Sequence, residues 1–152
     1  MGAPATQACS ARLRVTRAVL DANVLISGFL WAHGVPGVLL TAWREGRFEL
    51  VASELLLAEV EEALGAPKLR GRVRPEERDE LIRHVRAHGT VYHDPAAPPP
   101  VSPSDPDDIY LVALAAACRA PIVSGDRHLL ALAGRIPVYS PREFLEFLEA
   151  HP

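Results

Sequence analysis

Short runs of aliphatic and β-branched residues alternate along this chain with longer amphipathic stretches, and that alternation restricts the fold more than any other feature. Val15 to Leu20, Phe48 to Ala52, Thr90 to His93, Pro121 to Ser124 and Ile136 to Tyr139 read as strands. Helices are expected from Val24 to Trp31, from Pro36 to Glu45 ahead of Gly46, from Ser53 to Leu64 ahead of Gly65-Ala66-Pro67, and from Pro75 to Arg86 ahead of Gly89. Three more follow, from about Pro106 to Cys118, after Asp126, and from Pro141 to Glu149. Strands separated by helices pair in parallel through right-handed crossovers. The expected fold is therefore α/β: a three-layer α/β/α sandwich with a mainly parallel central sheet of four or five strands. The Pro-rich run from Pro95 to Pro106 cannot supply ladder hydrogen bonds and is expected at the surface.

With 152 residues, 49% of them hydrophobic, there is material for one core. Residues 15–150 are expected to form a single domain, and residues 1–14, which lack periodicity, a poorly ordered arm. The net charge of −3 offers no bulk attraction to a polyanion or an anionic membrane. Neither a signal-peptide core nor an apolar run of about 18 residues is present, so a soluble, cytoplasmic protein is expected. Cys9 and Cys118 are far apart and lack metal-ligand spacing, which supports neither a disulfide framework nor a thiolate zinc site. Lys68 is the only lysine, so every chemistry that needs a lysine rests on that position.

In an open α/β sheet, ligands sit at the carboxyl ends of the strands. Asp21 follows the first strand directly, and Asp126 follows Ile122 to Ser124 by one glycine. Asp105, Asp107 and Asp108 cluster where the helix before that strand begins, and Glu59 sits mid-helix among leucines. Each has an ordinary explanation: Asp21 and Asp105 as helix caps, Asp126 as a turn residue, and Glu59 or its neighbour Glu62 as solvated surface. Several carboxylates brought to one rim would repel and raise one another's pKa unless a cation neutralised them. An all-oxygen donor set, with no cysteine and no paired histidine, favours Mg²⁺ or Mn²⁺ over zinc.

These residues resemble the PIN-domain ribonucleases, which include the toxins of many prokaryotic toxin-antitoxin pairs. The resemblance covers most of Arg17 to Leu148, through Val19-Leu20-Asp21-Ala22-Asn23-Val24, SELLLAEVEEAL from Ser53, SDPDDIYLVALAAA from Ser104, VSGDRHLL from Val123 and SPREFLEFL from Ser140. It places the four metal-holding, catalytic acids at Asp21, Glu59, Asp108 and Asp126, with Asn23 and Ser124 as polar helpers. Among the three clustered aspartates, Asp108 leaves room for a three-turn helix and a short strand before Asp126, so Asp105 and Asp107 become cap or supporting candidates. Ser104 departs from the arginine frequent in the family, and His128 from a common acid.

The resemblance implies metal-dependent hydrolysis of RNA phosphodiesters, with one or two Mg²⁺ or Mn²⁺ ions activating water and stabilising the phosphate. It also implies an antitoxin partner and a homodimer. Lys68, Arg70, Arg72 and Arg74 form the densest basic segment and are the first candidates for holding RNA; Arg127, Arg12, Arg14 and Arg17 are secondary. The six histidines are scattered and receive no catalytic role. A haloacid-dehalogenase-like phosphatase also begins with an aspartate after its first strand, but it needs an acid where Asn23 stands and a lysine near the site. A non-catalytic protein-binding module is the other alternative. Phe29, Leu30, Trp31, Trp43 and Phe48 are read as core first and interface second.

Overall fold

The first strand, β1 (Arg17–Leu20), is buried along its whole length, as a strand covered on both faces must be. The computed structural model describes residues 16–69 and 71–152; the arm expected over 1–14, with Arg12 and Arg14, lies outside the described residues, as do Val15 and Arg70. After β1 come α1 (Ala22–Leu30), α2 (Val35–Arg44), β2 (Glu49–Ser53), α3 (Glu54–Leu64), α4 (Pro75–His88) and β3 (Thr90–Tyr92). A 3₁₀ turn (Pro106–Asp108) then leads into α5 (Ile109–Cys118), β4 (Ile122–Val123), α6 (Arg127–Leu130), β5 (Val138–Tyr139) and α7 (Pro141–Ala150).

All five strands pair in parallel, in the order β3–β2–β1–β4–β5, which makes the fold the expected α/β sandwich with a wholly parallel sheet. The chain winds from β1 out to β3 and then crosses back to lay β4 on the other side of β1. Strand order reverses at the β1/β4 boundary, and in such sheets a crevice opens there, at the carboxyl ends of the strands.

Element boundaries differ from expectation for local reasons. The helix expected from Pro106 starts as a 3₁₀ turn, because Asp105 Oδ1 accepts the Asp107 amide at 2.9 Å, and α5 begins only at Ile109. β4 and β5 are two residues each, since Pro121 and Pro137 offer no N–H; their carbonyls still accept from Val19 and Ile122, at 2.9 and 3.0 Å. A helix end and a strand start meet at Gly89, where a Cβ would come within 2.7 Å of the Val85 carbonyl oxygen.

Trp43 and Phe48 are core residues, Phe48 meeting fully buried Phe144 edge-to-face at 5.3 Å, whereas Trp31 is 53% exposed. Arg17, 4% exposed, pairs through Nε with Glu49 at 3.0 Å and donates from Nη1 to the Cys118 carbonyl at 3.0 Å. Tyr92 donates to the other Glu49 oxygen at 2.9 Å. Arg17 therefore ties β1 to β2 and α5, and this corrects its candidacy for RNA. Cys118, fully buried at the end of α5, is disulfide-bonded, where the sequence spacing supported no disulfide framework. Among the described residues no single helix is long and apolar enough to cross a membrane.

Ser53 ends β2 and caps α3, its Oγ accepting the Leu56 amide at 3.3 Å with the residue fully buried. Ser53→Ala is expected to lower the unfolding free energy by about 1 kcal/mol. Urea denaturation would show a lower midpoint with an unchanged slope.

Candidate active site

Asp21 stands at the start of α1, where an aspartate ordinarily caps, yet its side chain makes no capping hydrogen bond. Ser124, just past β4, instead donates from Oγ to Asp21 Oδ2 at 2.7 Å, and the same Oγ accepts the Asp126 amide at 3.0 Å. One fully buried hydroxyl thus links the acids that end β1 and β4 across the reversal in strand order. Asp21 is 7% exposed; burial pushes its carboxyl above the usual range, and Asp126 adds repulsion, against the lowering effects of Ser124 and of the Asn23 and Ala22 amides.

Asp126 combines two roles. Its Oδ1 accepts the His128 amide at 2.7 Å and caps α6, so the ordinary reading holds for one oxygen while its charge still acts on Asp21 and Asp108. Asp108 starts α5 without making a side-chain cap bond. Burial first, then the charges of Asp21, Asp105, Asp126 and Glu59, raise its pKa to about 6. Asp105 spends its Oδ1 on the 3₁₀ turn as a cap, and Asp107 lies exposed beside it. Glu59 is half-buried on α3, while Glu62 is exposed, which resolves which of the two faces inward. Its pKa is raised, chiefly by burial and also by the charges of Asp21, Asp107 and Asp105.

The structure therefore brings Asp21, Glu59, Asp108 and Asp126 into one electrostatic neighbourhood. It does not close them on a point: among the described residues no three His, Cys, Asp or Glu side chains form a metal-holding group. Like charges repel at short range when no cation lies between them; the Tyr110 hydroxyl donates to Glu59 Oε2. Tyr110 is the functional candidate that pattern reading passes over, because its place in Ile109-Tyr110-Leu111 looks like one more apolar helix residue. The donor chemistry fits a hard divalent cation: every candidate is a carboxylate oxygen, and positive charge is what would relieve the repulsion felt by Asp108.

Asn23 is exposed on the first turn of α1. Helix α3 starts at the carboxyl end of β2 and carries the chain away before Lys68, Arg72 and Arg74 begin. Arg74 is engaged by Glu77, 3.1 Å from its Nε. Arg127, exposed and adjacent to Asp126, is the base at the rim. His84 and His88 are not scattered; they sit one turn apart on α4 with ring centroids 4.7 Å apart. The Arg44 Nε donates to His84 Nε2 at 3.2 Å, which occupies that lone pair. A cleft of about 370 Å³ opens at the opposite, amino edge of the sheet between Thr16, Pro121 and Pro137, and the acids do not line it.

A family model of the PIN domain matches residues 17–128. The chain belongs to the PIN domain family. Over 143 residues this PIN domain is 28% identical to an uncharacterized protein of Methanocaldococcus jannaschii, covering 88% of this chain and 92% of that one. Its fold is similar to that of PAE2754 from Pyrobaculum aerophilum, with TM-score 0.59, 19% identity, and 90% and 91% of the two chains covered. It is also similar to a chain in the structure of VapBC2 from Rickettsia felis bound to a DNA fragment from their promoter, with TM-score 0.57, 10% identity, and 82% and 98% covered. PIN domains are generally nucleases, and they generally use divalent metals.

Asp108 binds its proton more tightly in the folded chain, at about 6, than at its ordinary 3.8. Its contribution to stability is full below 3.8 and is lost as pH rises through about 6. The metal-free PIN domain is thus expected to melt at a higher temperature at pH 5 than at pH 7. Asp108→Asn should raise the pH 7 value and flatten the difference, which thermal melts in EDTA would read.

Proposed function

We propose that this PIN domain is a metal-dependent endoribonuclease, hydrolysing RNA phosphodiester bonds at the rim between β1 and β4. The observation that carries the reading is the Ser124 hydroxyl between Asp21 and Asp126, which ties the acid that follows β1 to the turn that carries the acid after β4. Asp21, Glu59, Asp108 and Asp126 would hold one or two Mg²⁺ or Mn²⁺ ions. When bound, such ions supply Lewis acidity at a phosphoryl oxygen and lower the pKa of water at the site, so that no histidine base is required.

The chain's own groups do the positioning. Ser124 fixes Asp21 and, by accepting the Asp126 amide, sets the turn that presents Asp126. Capping by Asp126 Oδ1 leaves its second oxygen for the cation. Arg127, exposed beside Asp126, would take a phosphate arriving at the rim; Lys68, Arg72 and Arg74 would serve only a longer RNA that reaches past α3, with Arg70 of the same segment. The phosphatase alternative requires a lysine at the site, and Lys68 lies on the exposed connection after α3. A cytoplasmic location, an antitoxin that covers the acidic rim and a homodimer belong to the same proposal, on the resemblance to toxins of this family; the similar Rickettsia felis structure is of VapBC2 on promoter DNA.

Asp21→Asn and Asp126→Asn proteins, shown by circular dichroism to be folded, are expected to lose Mn²⁺-dependent RNA cleavage by more than the roughly 10–100-fold typical of residues that merely support ligands. Cleavage at the wild-type rate by both would overturn the proposal.

A further inference from the structure

Tyr110 is the only residue whose side chain hydrogen-bonds Glu59 among the described residues, and the two come from different helices, α5 and α3, 51 residues apart. Both are part-buried, so solvent competes weakly for the bond. The phenol donates to Oε2, which leaves Oε1 of Glu59 for another partner. Tyr110 follows Asp108 by two residues, and α5 beyond it is buried from Leu111 to Ala115, so the ring stands on a helix that packing holds firmly. Glu59, by contrast, is a flexible side chain one turn below exposed Leu55. It sits beside three other acids that push it away.

We infer that Tyr110 is a positioning residue: its hydroxyl clamps Glu59 against the repulsion of the neighbouring acids and presents the remaining carboxylate oxygen to the divalent cation. The inference rests on the metal-site reading above. Without the clamp, Glu59 would have to be ordered by the ion itself, at the cost of its side-chain entropy, and affinity would fall. Because Tyr110 acts through Glu59, its hydroxyl should matter only when that carboxylate is present. A ring needed merely for packing would be indifferent to removal of the hydroxyl.

The test is Mn²⁺ binding to the full chain, followed by isothermal titration calorimetry with Mn²⁺ alone and no RNA. Tyr110→Phe is expected to weaken Mn²⁺ binding by about tenfold while circular dichroism shows it folded. In the Glu59→Ala background, which removes the acceptor of the hydroxyl, the same change should have no further effect. Wild-type affinity in Tyr110→Phe, or a tenfold loss that persists in the Glu59→Ala background, overturns the clamp while leaving the metal site standing. No saturable Mn²⁺ binding by wild type, or binding unaffected by Asp21→Asn, overturns the underlying reading as well.

Discussion

Ser124 and Asp21 are 103 residues apart and meet only because β1 and β4 lie side by side in parallel, Leu20 opposite Val123. That pairing is the constraint on which the acidic rim depends. It puts two strand ends at one level and sets the α1 and α6 starts beside each other. A buried hydroxyl then has an acceptor on one strand and a donor on the other. The Asp21 amide bonded to the Val123 carbonyl at 3.0 Å and the Ser124 amide bonded to the Tyr139 carbonyl at 3.0 Å lock the same corner through the backbone. A slip of register by one residue would point Ser124 to the other side of the sheet.

Around that corner, charge is concentrated against its own preference. Burial and like neighbours raise the carboxyls of Asp21, Glu59 and Asp108 together, and among the described residues no ion pair to a base holds them down. Arg17, the buried base nearest in sequence to Asp21, is directed to Glu49 and the Cys118 carbonyl instead. Structural ion pairs and candidate chemistry are thus kept apart on β1: the pair belongs to its first residue, the uncompensated acid follows its last. Such a separation suits a site meant to be neutralised by something that binds.

Much of this was legible in the residues. Continuous apolar strands, the Ser53 cap and the Pro and Gly breaks gave the parallel α/β plan, and strand-end placement picked out Asp21 and Asp126. Local chemistry could not be read so well. Whether Asp21 caps, or whether Glu59 or Glu62 faces inward, turns on contacts between segments far apart in sequence. Tyr110 was invisible because an aromatic in an apolar helix carries no polar signature until its partner on α3 is known. The reach of the basic segment from Lys68 could not be read either: sequence density of charge says nothing of the direction in which α3 runs. Bulk charge misled, since −3 averages over a rim where acids gather.

The central claim is that these acids are crowded at the strand-order reversal in a way that a divalent cation relieves. The most direct measurement is the carboxyl ¹³C titration of Asp108 by NMR, with and without Mg²⁺. The account predicts a midpoint near 6 in the metal-free protein, moving well below the ordinary 3.8 when Mg²⁺ is saturating. A midpoint near 3.8 that Mg²⁺ leaves in place would contradict it.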